Sequence, residues 1–250
     1  MYVIVCMIVI WGKNNSRVFL FKIMHFSILH TQRRNNMAYH FAKKADVKET
    51  NKWCVGILNE VQTIVKDYFT FSYELIGSGG NRLVTYNDGN PFDLDYNIFI
   101  QKDKQHLIQQ PDQIKDIFFK AFQKAFGNGI EAFNPSSYTK INNSKSVITV
   151  KNIEYGNLAF SFDVAILRQH PNGYLEKIIF DKKNNRYIWN QVKDSKDLND
   201  KVLLVKQRLG WNAVRERYLD LKNDSLSNND ETKSFSIFIQ VINEFYQKLK

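Results

Sequence analysis

The chain reads as an α+β fold with a helical C-terminal region, and three observations predict it. Apolar residues recur at helical spacing over 51–68, 111–126 and 233–249. Short stretches between and after the first two alternate apolar and polar residues with the period of a strand. The resulting order is helix, strand, glycine turn, strand, helix, strands, helices, which groups the later strands together and the last helices together.

Each element has a local reason. Over 51–68, Trp53, Ile57, Val61, Ile64 and Tyr68 share one face. Residues 71–76 are β-prone and run into Gly77-Ser78-Gly79-Gly80, where side chains all but vanish. Residues 82–86 form a short element whose type the pattern leaves open, and Asn87-Asp88-Gly89-Asn90-Pro91 is a turn cluster. Over 92–100 the alternation is clean. Phe92, Leu94, Tyr96, Ile98 and Ile100 take one side, and Asp93, Asp95 and Asn97 take the other. Pro111 suits the first turn of the helix over 111–126, whose Ile114, Ile117, Phe118, Ala121, Phe122, Ala125 and Phe126 face inward. Gly127-Asn128-Gly129 stops it. Strands are predicted over 147–153, 158–167 and 174–180, the last leading to 187–189 across a turn at 182–185. The tail is helical over 200–221, interrupted near Gly210, and over 233–249, with Phe235, Phe238, Ile242, Phe245 and Leu249 as its apolar stripe. A polar stretch over 223–231 separates the two, and no internal repeat is visible.

With 250 residues, 44% of them hydrophobic, the chain can bury a core as one large domain or two small ones, and the composition excludes a disordered protein. The formal net charge is +10, and half of it comes from residues 1–36, which hold Lys13, Arg17, Lys22, Arg33 and Arg34 and no acid. A basic excess suits phosphate-bearing partners, although a solvated lysine-rich surface explains it equally well. Cys6 and Cys54 make neither a disulfide framework nor a thiolate zinc site, so a reducing, cytoplasmic setting is expected. The five histidines show no paired metal-ligand spacing. The apolar runs over 1–11 and 18–29 are too short to span a bilayer. They also lack the basic start of a secretory signal. We expect residues 1–36 to be a non-core extension, with Met37 as the working start, 37–195 as the catalytic domain and 196–250 as a helical C-terminal region.

The chemistry is carried by three carboxylates. On a strand, Asp93 and Asp95 project to the same face while Leu94 enters the core. Two like charges so close repel unless a cation sits between them, and a hard divalent ion takes oxygen ligands and phosphate together. Asp163 lies in Phe160-Ser161-Phe162-Asp163-Val164-Ala165-Ile166, where the apolar residues alternate inward and leave Asp163 opposite, between small neighbours. If the two strands are adjacent, Asp163 completes a metal site. Upstream, Gly77 lets backbone N–H groups approach a phosphate, Ser78 adds a hydroxyl, and Arg82 is placed to supply charge-assisted hydrogen bonds. Each of these signals alone is more often structural than catalytic; their order along the chain shifts the balance.

That order resembles the DNA polymerase β-type nucleotidyltransferase superfamily. The pattern reads Leu75-Ile76-Gly77-Ser78, then Phe92-Asp93-Leu94-Asp95-Tyr96, then Phe162-Asp163-Val164, and the resemblance covers roughly 51–167. It implies a mixed β-sheet flanked by helices. It also implies two Mg²⁺ ions (Mn²⁺ as the alternative) held by Asp93, Asp95 and Asp163. The implied reaction transfers a nucleoside monophosphate from an NTP such as ATP to a hydroxyl on RNA, a protein, a small molecule or another nucleotide. The stretch between Ser78 and Asp93 is longer than in compact members such as the polymerase itself. It is similar to the spacing of the cyclic-dinucleotide-synthase and related branches, and no antibiotic-transferase or tRNA-end-maturation signature is identified. Two other readings stay open. One is a non-catalytic relative, a binding or toxin–antitoxin-type module that keeps the fold. The other is a glycosyltransferase with a metal-binding Asp-x-Asp, which leaves Gly77-Ser78 and Asp163 unexplained. Arg215 and Arg217 suit an acceptor cleft less well than a solvent-facing stripe.

Overall fold

The computed structural model describes residues 6–11, 17–22, 38–87, 91–127, 137–192, 196–228, 230 and 232–250. The chain forms two compact units, Met1–Ala38 and Tyr39–Lys250. Within the first, β1 (Cys6–Trp11) and β2 (Arg17–Lys22) pair antiparallel, Cys6 opposite Lys22 and Trp11 opposite Arg17.

The second unit is built on a seven-stranded sheet. Its middle strand is β9 (Asn157–Gln169), an apolar run buried from Phe162 to Leu167 except for Asp163. On one side β9 pairs in parallel with β6 (Asp93–Asp103), and β6 pairs antiparallel with β4 (Phe69–Ile76). The other side of β9 is shared. Its first half pairs with β8 (Ile148–Glu154), which carries β7 (Ser137–Asn143); its end pairs with β10 (Leu175–Asp181), which carries β11 (Arg186–Gln191). The single parallel pair requires a long crossover. Helix α3 (Pro111–Gly127) and the β7–β8 hairpin supply it. The sheet is therefore mixed, and helices flank it.

One face of the sheet is dry. Leu94, Tyr96 and Ile98 of β6 and Phe162, Val164 and Ile166 of β9 meet Cys54, Ile57, Leu58 and Val61 of helix α1 (Lys44–Val65) and Ile114, Phe118 and Phe122 of α3. Aromatic geometry fixes that packing: Phe69 stacks on Phe118 at 5.7 Å, and Trp53 meets Phe160 edge-on at 5.3 Å. A second apolar cluster holds the C-terminal helices together. Val205 of α4 (Lys196–Arg208), Val214 and Tyr218 of α5 (Trp211–Ser227), and Ile237, Val241 and Ile242 of α6 (Ser234–Gln247) pack around Leu83. Leu83 follows a one-turn helix α2 (Gly77–Gly80), so the glycine turn is anchored by a side chain driven into the helical cluster. Short strands β3 (His40–Phe41) and β5 (Thr85–Tyr86) pair beside it.

Several expectations change. Helix α1 starts at Lys44 rather than 51 and stops at Val65, so Tyr68 lies outside it and is 42% exposed. Strand β7 carries no clean alternation and was not expected. Helix α5 runs on to Ser227, into residues expected to be a polar connector. Phe235, placed in the apolar stripe of the last helix, is 59% exposed. The interruption at Gly210 is present, with φ of 78° at the N-cap of α5. Among the described residues no helix is long and apolar enough to cross a membrane.

Candidate active site

The parallel pairing of β6 and β9 creates the site. Register places Asp95 opposite Asp163 and Asp93 opposite Ser161. Because Leu94, Phe162 and Val164 are locked into the core, the alternation of both strands turns all three aspartates to the opposite face. One oxygen from each of Asp93, Asp95 and Asp163 lies within 4.8 Å of the others. The side chains that the sequence brought forward separately thus form one cluster.

Neighbouring groups restrain each carboxylate. Ser161 Oγ donates to Asp93 Oδ1 at 2.9 Å, and Thr149 Oγ1 of β8 donates to Asp163 Oδ1 at 2.6 Å. Asp95 is bounded by Gly77, where a Cβ would sit 2.9 Å from Asp95 Oδ2 and where φ is +60°. Only glycine meets both demands. The turn is closed by Leu83 N–H donating to the Ser78 carbonyl at 2.8 Å and by Asn81 Nδ2 donating to the Gly77 carbonyl at 3.0 Å.

The electrostatics are those of an acid cluster short of positive charge. Burial, then the charges of Asp163 and Asp95, push the Asp93 carboxyl up to about 7, against the pull of the Ser161 hydroxyl. Asp93 keeps accessible area as a residue, but its carboxylate lies at the foot of a cleft, where protein replaces most of its hydration. Asp95 is also raised, by burial and by Asp163, while Lys177 of β10 opposes. Burial lowers Lys177 in turn, and Asp163 and Asp95 offset that. Three hard oxygen donors this close fit a divalent ion, whose charge would relieve the repulsion.

Above the cluster opens a cavity of about 990 Å³. Its sheet side is lined by Ile76, Gly77, Ser78, Asp93 and Asp95, and its far side by α4, α5 and α6 through Leu203, Lys206, Tyr218, Lys222, Ser234 and Phe235. Lys206 Nζ donates to Asn81 Oδ1 at 3.2 Å and lies 4.4 Å over the Trp211 ring, whose Nε1 donates to the Asn81 carbonyl at 2.7 Å. The glycine turn and the helical region are tied together through that asparagine. Lys222 Nζ donates to Thr85 Oγ1 at 2.8 Å and sits 3.9 Å from the Tyr39 ring centroid. Burial brings Lys222 down to about 8.

Arg82 does not join the lining. It is exposed, with φ of 57°, although its charge reaches Lys206. Asp163 contributes to the cluster from beneath rather than to the cavity wall. Arg217 pairs with Glu244 at 2.9 Å and Arg215 covers Phe41, so neither serves the cleft. Sequence reasoning missed Thr149, Lys177, Lys206 and Lys222. The alternation of 147–153 puts Thr149 on the polar face and was a usable signal for it; the lysines had none, because the role of Lys177 depends on how β10 pairs with β9 and that of Lys206 and Lys222 on which helices fold over the sheet.

No family model matches the chain, and no curated protein matches it. Solved structures do resemble it. A mutant of the Vibrio cholerae di-nucleotide cyclase DncV in complex with ATP and GTP is similar at a TM-score of 0.58 and 9% identity, over 84% of this chain and 70% of that one. The 3′-deoxy GTP bound form of the same cyclase gives 0.57 and 10%, over 84% and 68%. For a CD-NTase of Bradyrhizobium diazoefficiens in complex with GTP the values are 0.43 and 12%, and this chain covers 75% of itself and 44% of that protein. For the two cyclase structures the likeness, at these identities, is one of fold: a nucleotidyltransferase-type mixed sheet flanked by helices.

Proposed function

We propose that this chain is a metal-dependent nucleotidyltransferase that moves a nucleoside monophosphate from an NTP to a hydroxyl acceptor. The observation that carries the reading is the convergence of Asp93, Asp95 and Asp163 within 4.8 Å at the foot of a cleft whose far wall bears Lys206 and Lys222. Anionic oxygens on one wall and ammonium groups on the other suit a polyphosphate bridged to the protein by a divalent cation.

Asp93, Asp95 and Asp163 would hold Mg²⁺, as one ion or a pair, which when bound supplies positive charge at the transferring phosphoryl group and lowers the pKa of the acceptor hydroxyl. The other tasks fall to the chain. Gly77 leaves room for Asp95 and for close backbone approach to phosphate, and Ser78 lines the same cavity. Lys206 and Lys222 would meet the phosphates, and Phe235, exposed beside the cleft, would meet a base. The acceptor oxygen bonds to the α-phosphorus, the bond from that phosphorus to the bridging oxygen breaks, and pyrophosphate departs with the electron pair. The hydroxyl proton passes to a carboxylate oxygen of the cluster. Acceptors in scope are RNA, a protein, a small molecule or a second nucleotide. The nucleotide class is favoured because the chain resembles in fold a cyclase solved with ATP and GTP together.

The test is incubation with each α-labelled NTP and Mg²⁺ or Mn²⁺, followed by separation of labelled products and measurement of pyrophosphate. At least one NTP should yield labelled product with stoichiometric pyrophosphate. Absence of both with all four NTPs and a broad acceptor pool would leave the non-catalytic module as the better account.

A further inference from the structure

We infer that Thr149 and Ser161 are positioning residues that aim two of the three carboxylates, so that metal affinity depends on hydroxyls that touch neither metal nor substrate. The inference rests on the metal-site reading above. Thr149 stands on β8 directly opposite Asp163 in the antiparallel register, and Ser161 stands on β9 opposite Asp93 in the parallel register. The hydrogen bonds at 2.6 and 2.9 Å each take the Oδ1 atom. A carboxylate otherwise turns freely about its last torsion, whose preference is broad. Anchoring Oδ1 fixes the plane of each carboxylate.

The two donors differ in stiffness. Threonine is β-branched, so its χ1 is restricted on a strand and its hydroxyl is held in one direction. Serine is looser, and its bond to Asp93 is the longer one. The third carboxylate, Asp95, is bounded by the Gly77 backbone instead. Each acid is thus restrained by a different element: β8, β9 and the turn after β4. Outer groups of this kind commonly alter metal affinity 10- to 100-fold when removed.

Thr149→Val keeps shape and strand preference and deletes only the donor; Thr149→Ser keeps the donor. In the full chain, Mn²⁺ binding is measured by electron paramagnetic resonance titration, alongside thermal melts without metal and kcat and KM for the active NTP. Thr149→Val should weaken Mn²⁺ binding about 10-fold, with a metal-free melting temperature close to wild type. Thr149→Ser should regain most of the affinity, and Ser161→Ala should show a smaller loss than Thr149→Val. Wild-type Mn²⁺ affinity in Thr149→Val would overturn the inference, as would a Thr149→Ser protein as weak as the valine variant, or a wild type that binds no Mn²⁺. Hydroxyl-dependent Mn²⁺ binding in a protein that turns over no NTP would support the inference while removing the proposed reaction.

Discussion

Lys115 is a lysine among phenylalanines. It lies on α3, 1% exposed, with its ammonium 5.6 Å from the Tyr187 ring centroid. Burial brings it down to about 7, Lys177 adds to the effect and Asp163 opposes it. In the unfolded chain the group has the ordinary value of 10.5. Between pH 7 and 10.5, therefore, the unfolded chain binds one proton that the folded chain does not. This group's contribution to stability rises with pH through that window and is flat below it. Lys115→Met keeps the length and removes the titration, so it should be more stable than wild type at pH 7 by about 1 kcal/mol or more. The advantage should shrink toward pH 10. Urea melts at pH 7, 8.5 and 10 measure it, and a variant less stable at every pH would show that the cation–ring contact outweighs the desolvation.

At the scale of elements, strands with one dry face were legible and their surroundings were not. The alternation over 92–100 gave β6 its register of faces, because each inward residue is apolar and the outward Asp93, Asp95 and Asn97 are polar, although Phe99 on the same outward face is not. Asp163 was legible for the same reason, as a lone acid in an apolar run. The ends of helices were harder. Helix α1 gains its first turns from Val47 and the buried Thr50, a weak local signal that packing completes. Strand β7 forms because β8 offers it a full ladder, from Ser137 opposite Glu154 to Asn143 opposite Ile148, and not because its own residues alternate. Phe235 kept the helical period yet faces outward beside the cleft, since period fixes the face of a helix only when the neighbour is known. The acid cluster could thus be read from local pattern, while the lysine wall opposite it depends on tertiary folding.

At the scale of the whole molecule, Tyr39–Lys250 forms a compact unit in which every proposed site residue resides. Tyr39 is tied by its N–H to Asn223 Oδ1 at 2.6 Å, and its ring meets the Lys222 ammonium. A protein begun at Met37 retains those contacts. We propose that residues 1–36 are dispensable: such a protein should unfold cooperatively and keep full activity, as differential scanning calorimetry and the labelling assay would show. Aggregation or a broadened transition would assign the earlier residues a part in the fold. The sheet and the C-terminal helices, by contrast, share the cleft and should not be separable without loss of NTP binding.

Whether the carboxylate cluster performs chemistry is probed most directly by Asp95→Asn. The substitution preserves size and the space left by Gly77, and removes one negative charge from a cluster already short of cations. The metal-free melt should be unchanged or slightly higher. Catalysis needs the full anionic set, so the rate of pyrophosphate release from the active NTP in Mg²⁺ should fall at least about 100-fold, roughly 3 kcal/mol of transition-state stabilisation. The rise in melting temperature that Mg²⁺ and NTP give the wild type should largely vanish. An Asp95→Asn protein that releases pyrophosphate at the wild-type rate would contradict the account.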